Sequence, residues 1–221
     1  MVDGFLRVQD AGQSVHKTIG RYLLNALLAV SRGIDWLNDK VGRLTLWLVL
    51  ASVAISGLNA IIRKAFDYSS NAWLEIQWYL FAGVFLLGAG YTLLHNEHVR
   101  IDVLSGRLSP RGRNWVDVIG IVFFLFPFVF EVVRLSLPVV INAIASGEMS
   151  GNAGGLIRWP VYILIPIGFS LLGLQGLSEL IKRVAFLLGI AADPLAKTNE
   201  KTAEEELAEF MRAQQGQGGQ R

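Results

Sequence analysis

Residues 44–62 read LTLWLVLASVAISGLNAII, a run without one Asp, Glu, Lys or Arg. A helix needs about 20 predominantly apolar residues to cross the roughly 30 Å hydrocarbon core of a bilayer. No helix of a soluble domain needs that much uncharged chain. Three more stretches show the same character. Trp73–Leu94 holds one charged residue, Glu75, near its start. Trp115–Ala145 holds Asp117 near its start and the pair Glu131 and Arg134. Pro160–Ile181 holds only Glu179, near its end. Backbone in lipid must satisfy its own hydrogen bonds, which favours helices, and the alternation of a membrane barrel is absent.

These runs predict an all-α integral membrane protein with four spans, at about 44–62, 73–94, 115–145 and 160–181, in a transmembrane domain over 44–190. The third stretch exceeds one perpendicular crossing at about 1.5 Å per residue. With Pro127 and Pro138 inside it, it is expected to tilt or kink and to emerge near Pro138. Composition agrees: 52% of residues are hydrophobic and 17% charged, where soluble domains carry about a quarter charged. The absence of cysteine excludes a disulfide scaffold, a thiol enzyme and a Cys-ligated zinc or iron–sulfur site.

Lys and Arg are spread unevenly around the spans. Six precede the first span, two follow it, four lie between spans two and three, one lies between three and four, and six follow the fourth. The positive-inside rule then makes both termini and the middle loop cytoplasmic and turns the other two loops outward. No cleavable signal peptide is read at the N-terminus.

Residues 1–43 form an amphipathic segment. Val15, Ile19, Tyr22, Leu23, Ala26, Leu27, Val30, Ile34, Leu37 and Val41 mark one helical stripe, with Lys17, Arg21, Asn25, Arg32, Asp35 and Asp39 on the other face. This pattern predicts a helix at the cytoplasmic interface, against phospholipids or a docked partner. Residues 184–190 are apolar but too short to cross. Residues 191–221 form a polar cytoplasmic tail, with acidic Glu200, Glu204, Glu205, Glu206 and Glu209 and a Gly/Gln-rich end.

Few residues carry chemistry. Glu75 lies near the start of span two, where it is either an ion ligand or proton relay, or a carboxylate capping backbone at a helix N-terminus. Trp73 and Trp78 fit interfacial anchors. Glu131 and Arg134, three apart, share a helix face and pair with each other or meet a neighbouring protein. His95 and His98 are spaced for a metal or haem, but the default reading is an interfacial corner ordering the middle loop. Ser52 with Ser56, Gly83 with Gly90, and Gly173 with Gly176 read as close-packing positions. No catalytic triad, phosphate loop or nucleotide fingerprint appears, so no catalytic residue, metal, cofactor or nucleic-acid partner is assigned. No charge-lined pathway crosses the bundle, and little buried charge is expected. Such a chain supports something else rather than transporting alone.

Three groups of residues carry a family resemblance. The first is Trp73-Leu-Glu75, followed by Gly83, Leu86, Leu87, Gly88 and Ala89. The second is His98-Val-Arg100-Ile-Asp102-Val-Leu, followed by Arg107, Leu108 and Pro110. The third is Ser150-Gly-Asn-Ala-Gly-Gly155-Leu-Ile-Arg158-Trp159-Pro160, leading to Pro166-Ile-Gly168. Over roughly residues 44–182 the chain resembles the small membrane subunit, DctQ type, of the tripartite ATP-independent periplasmic (TRAP) transporters. The amphipathic N-terminus is longer than the minimal pattern of that family.

The resemblance implies a bacterial inner-membrane scaffold subunit beside a larger permease subunit and a periplasmic solute-binding protein. The complex would import an organic acid, such as a C4-dicarboxylate or sialic acid, on a sodium or proton gradient. By position, Trp73, Glu75 and the loop Ser150–Trp159 are expected to face outward toward those partners, and His98, Arg100 and Asp102 to order the cytoplasmic corner. Two alternatives stand beside it: the small subunit of a tripartite tricarboxylate transporter, and a haem-binding membrane redox subunit using His95 or His98.

Overall fold

The computed structural model describes residues 2–68, 70–96 and 108–195, with side chains described from Asn25 onward. His98, Arg100 and Asp102, most of the polar tail, and the first part of the amphipathic stripe lie outside these descriptions. Helix α1 runs Val2–Phe66 and α2 runs Asn71–Leu94. Helix α3, Pro110–Gly120, passes through a π-helical turn, Ile121–Leu125, into α4, Phe126–Ser146. A short α5, Trp159–Tyr162, leads into α6, Leu164–Leu187. Among the described residues four segments are long and apolar enough to cross a membrane: Asn25–Phe66, Asn71–Leu94, Pro110–Ser146 and Trp159–Leu187.

Local chemistry explains the element ends. Ser70 caps α2 by accepting from Ala72 N at 3.3 Å. Ser109 caps α3 by accepting from Gly112 N at 3.2 Å, and Pro110 follows it where no N–H is needed. The π turn precedes Pro127, which cannot donate to the Phe123 carbonyl; Phe126 N–H reaches back five residues to Ile121 O. The break expected at a proline is thus a π turn just before Pro127, while α4 runs through Pro138 to Ser146.

Helix α6 is the hub, packed against α1, α2, α3 and α4, and α1 also packs along α2. The loops 67–70 and 147–158 share one end of the bundle, called here the loop end. The bundle is apolar outside and polar inside. Leu46 and Trp47 are exposed, while Ser31, Asn38, Thr45, Gln175, Ser178, Glu179 and Arg183 are buried. Lipid gives apolar surface no reason to hide, so small and polar groups hold such helices together.

One feature of α1 differs from the sequence reading. The amphipathic segment and the first span are one unbroken helix, because no proline or cap separates them. Leu27, Val30 and Leu37 of the apolar stripe lie on the outer surface, Asn25 and Arg32 of the polar face are exposed as well, and Ser31 and Asn38 are buried. Ser31, Asp35 and Asn38 turn inward because α6 supplies hydrogen-bonding partners along the same length.

Candidate functional site

The site is built from one face of α2. Asn71, Glu75 and Tyr79 are spaced four apart, so they stack on one side of the helix. That side meets the segment joining α4 to α5. Glu75 is only 6% exposed. Its carboxylate accepts from Asn152 Nδ2 at 2.7 Å, from Leu156 N at 2.7 Å and from the Ser150 hydroxyl. Asn71 Nδ2 donates to Ala153 O at 3.0 Å, and the Tyr79 hydroxyl donates to Ile157 O at 3.0 Å.

The loop also closes on itself. Ser150 N donates to Leu156 O at 2.8 Å and Arg158 N to Glu148 O at 2.9 Å, flanking a β-bridge between Met149 and Ile157. Arg158 lies 3.8 Å from Glu148, and both reach the Tyr162 hydroxyl. That hydroxyl, with Glu148, holds the Arg158 guanidinium above its ordinary value. Trp159 and Pro160 start α5 directly beyond. Trp73 is half-buried at the start of α2. Two motifs far apart in sequence, Trp73–Glu75 and Ser150–Pro160, therefore meet in a single clasp.

The donor set decides the chemistry of Glu75. Its partners are two N–H groups and a hydroxyl, and charge-assisted bonds of this kind are the strong ones. The carboxylate acts as a fixed acceptor that shapes a loop, with one backbone donor at Leu156 and two side-chain donors, and it does not cap the α2 N-terminus. Gly155 is required by space: a Cβ there would lie 2.5 Å from Ser150 Cβ. Gly155→Ala is expected to loosen the clasp and speed amide exchange at Leu156 by about tenfold or more, measurable by hydrogen exchange.

The other named residues stand apart from the clasp. Glu131 and Arg134 form a two-point ion pair with each other, at 2.6 and 2.9 Å, on the exposed face of α4. His95 is exposed; its ring stacks on Tyr91 at 4.1 Å and its Nδ1 lies 3.1 Å from Tyr91 O.

A second polar cluster joins α1 to α6 at the opposite end of the bundle. Asp35 Oδ1 accepts from Ser178 Oγ at 2.6 Å, Gln175 Nε2 at 2.9 Å and Lys182 Nζ at 3.2 Å. Lys182 also reaches Glu179 at 2.5 Å. Arg183, 1% exposed, bonds Glu179 on its own helix and Asp117 of α3 at 3.0 Å. Asn38 Nδ2 donates to Gln175 Oε1 at 3.0 Å, and the Ser31 and Ser178 hydroxyls lie 2.7 Å apart. The expectation of little buried charge is corrected here. Asp35 was expected on a solvated face and Glu179 as a lone charge, whereas they converge on Lys182 and Arg183. The available signal was the spacing of Ser31, Asp35 and Asn38, which matches the polar positions Gln175, Ser178 and Lys182.

Comparison with known proteins adds the following. Residues 52–186 match the family model described as tripartite ATP-independent periplasmic transporters, DctQ component. The chain is 27% identical over 152 residues to the ectoine TRAP transporter small permease protein TeaB of Halomonas elongata, covering 68% of this chain and 78% of that protein. No solved structure matches.

Proposed function

The chain belongs to the DctQ component family of the tripartite ATP-independent periplasmic transporters, and on that premise we propose that it is the fixed scaffold beside the moving permease subunit. It is a multi-pass membrane subunit of a transport system rather than an enzyme, and the family pairs such a subunit with a large membrane subunit and a binding protein. In our reading both termini are cytoplasmic, as the Lys and Arg distribution argues, so the clasp faces the periplasm. There Trp73, Ser150–Trp159 and Pro160 offer the solute-binding protein a rigid surface. The exposed side chains of Leu27, Val30 and Leu37 on α1 lie against phospholipids.

The observation that carries this reading is the Glu75 carboxylate with its three loop donors. A loop held from another helix is a preformed docking surface, and preformed surfaces bind without an ordering cost. The cargo is a small organic solute taken up on an ion gradient. The relative named for ectoine widens that class beyond the C4-dicarboxylates and sialic acid suggested by the resemblance.

The test is Glu75→Gln and Glu75→Ala in the complete transporter. Losing these charge-assisted bonds is expected to cut uptake roughly 10- to 100-fold at limiting binding protein, more for Ala than for Gln. Unchanged uptake with unchanged complex yield would overturn the assignment.

A further inference from the structure

We infer that the face of α4 bearing Glu131 and Arg134 is the surface on which the large membrane subunit sits. This rests on reading the chain as a scaffold within a complex of two membrane subunits. Helix α4 buries Val129, Ser136, Val140 and Ala143, the stripe that meets α6. At about 100° per residue, Pro127, Glu131, Arg134, Pro138 and Asn142 fall on the opposite side. All five are exposed, and the side chains of Arg134 and Glu131 are 59% and 49% exposed.

That side is polar at a depth where lipid is not. Glu131 lies 15 residues before Ser146, the end of α4, or roughly 22 Å along the axis. The pair uses two of the five Arg134 N–H donors. The remaining donors and the carboxylate lone pairs belong to side chains on the exposed face of α4. Pro138 has no N–H, so it leaves the Arg134 carbonyl without its i+4 donor. Acyl chains can satisfy none of these groups, and ionisable residues within spans almost always face protein or water. A neighbouring helix presenting hydroxyl or amide side chains at this depth satisfies them.

The surface beside the pair suits the same occupant. A groove of about 360 Å³ opens between α4 and α6, lined by Val133, Leu137, Ile163, Pro166, Ile167 and Leu174 among others. It accepts apolar side chains from a helix whose polar groups meet Glu131 and Arg134. A polar contact set beside an apolar pocket is the usual composition of a specific interface.

The chain contains no cysteine, so single cysteines report position cleanly. Leu135→Cys and Asn142→Cys flank the pair; Leu46→Cys on α1 is the exposed control. Each is labelled with a maleimide–benzophenone in membranes holding the complete transporter, then irradiated. The expected result is a cross-link to the large subunit from both α4 positions, at least fivefold stronger than from the control. Cross-links to a second copy of this chain, or to lipid alone, overturn the inference while wild-type co-purification leaves the scaffold reading intact. Failure of the wild-type chain to co-purify with the large subunit overturns both. Glu131→Leu with Arg134→Leu is expected to lower co-purification at least tenfold while the isolated chain keeps its thermal midpoint. Undiminished co-purification of that double variant also overturns the inference.

Discussion

Replacing Arg183 with Met is expected to destabilise the bundle by about 3–5 kcal/mol, the range for breaking one side of a buried ion pair. Arg183 is 1% exposed and bonds two carboxylates, Glu179 and Asp117. Met fills the volume but leaves both carboxylates without the guanidinium. Glu179, itself 2% exposed, keeps only Lys182 as its cation. Asp117 sits on α3, so the loss is felt between α3 and α6. Tryptophan fluorescence in detergent should show the midpoint falling by about 10 °C or more. Adding Glu179→Gln removes the stranded charge and is expected to recover part of the loss. An unchanged midpoint in the single variant would mean that Arg183 is solvated and the cluster is not closed.

How far the sequence foretold this arrangement depends on the residue. The spans were legible because their signal is local: about 20 apolar positions in a row leave few other solutions. The glycines at 83, 90, 173 and 176 were legible as packing positions for the same reason. A Cβ at Gly90 would lie 2.1 Å from Asn38 Oδ1, and one at Gly176 would lie 2.6 Å from Leu125 Cδ2. The apolar stripe of α1 was legible as an outward surface, but what its inward side meets was not, because periodicity shows that two faces differ and not what either one touches. For a soluble helix the apolar face is inside; in a bilayer that rule can invert, and the polar stripe of Ser31, Asp35 and Asn38 finds α6 instead.

The clasp was half legible. Glu75 stood out as a lone charge, and Ser150–Pro160 stood out as a motif, but nothing local joins positions 75 residues apart. Asn71 and Tyr79 were missed altogether, although their spacing from Glu75 is helical. The fact that α2 presents all three to one loop depends on how α2 and α6 sit against each other. The most crowded point of that crossing is Gly168 against the Leu86 backbone, with Gly90 near the Leu171 carbonyl a second close approach.

Gly168 marks the crossing, and Gly168→Ala is expected to have an effect comparable to breaking the buried ion pair. A Cβ at 168 would lie 2.4 Å from the Leu86 carbonyl oxygen and 2.7 Å from its carbon. These are backbone atoms inside α2, so no rotamer change relieves the clash and the helices must separate. Overpacking costs about 1–3 kcal/mol when side chains can yield, and the upper end or more is expected here. Leu86 and Glu75 lie on the same helix, about three turns apart, so a shift of α2 also moves the clasp. Uptake should therefore fall together with stability, and hydrogen exchange at Leu156 should rise. Gly57→Ala is the control, since nothing lies within 4 Å of a Cβ there. Better helix propensity should leave that variant as stable as wild type or more stable by up to about 1 kcal/mol. A Gly168→Ala protein that melts with wild type and keeps the Leu156 amide protected would show that α2 and α6 do not approach this closely. The clasp would then have to hold its loop without the crossing beneath it.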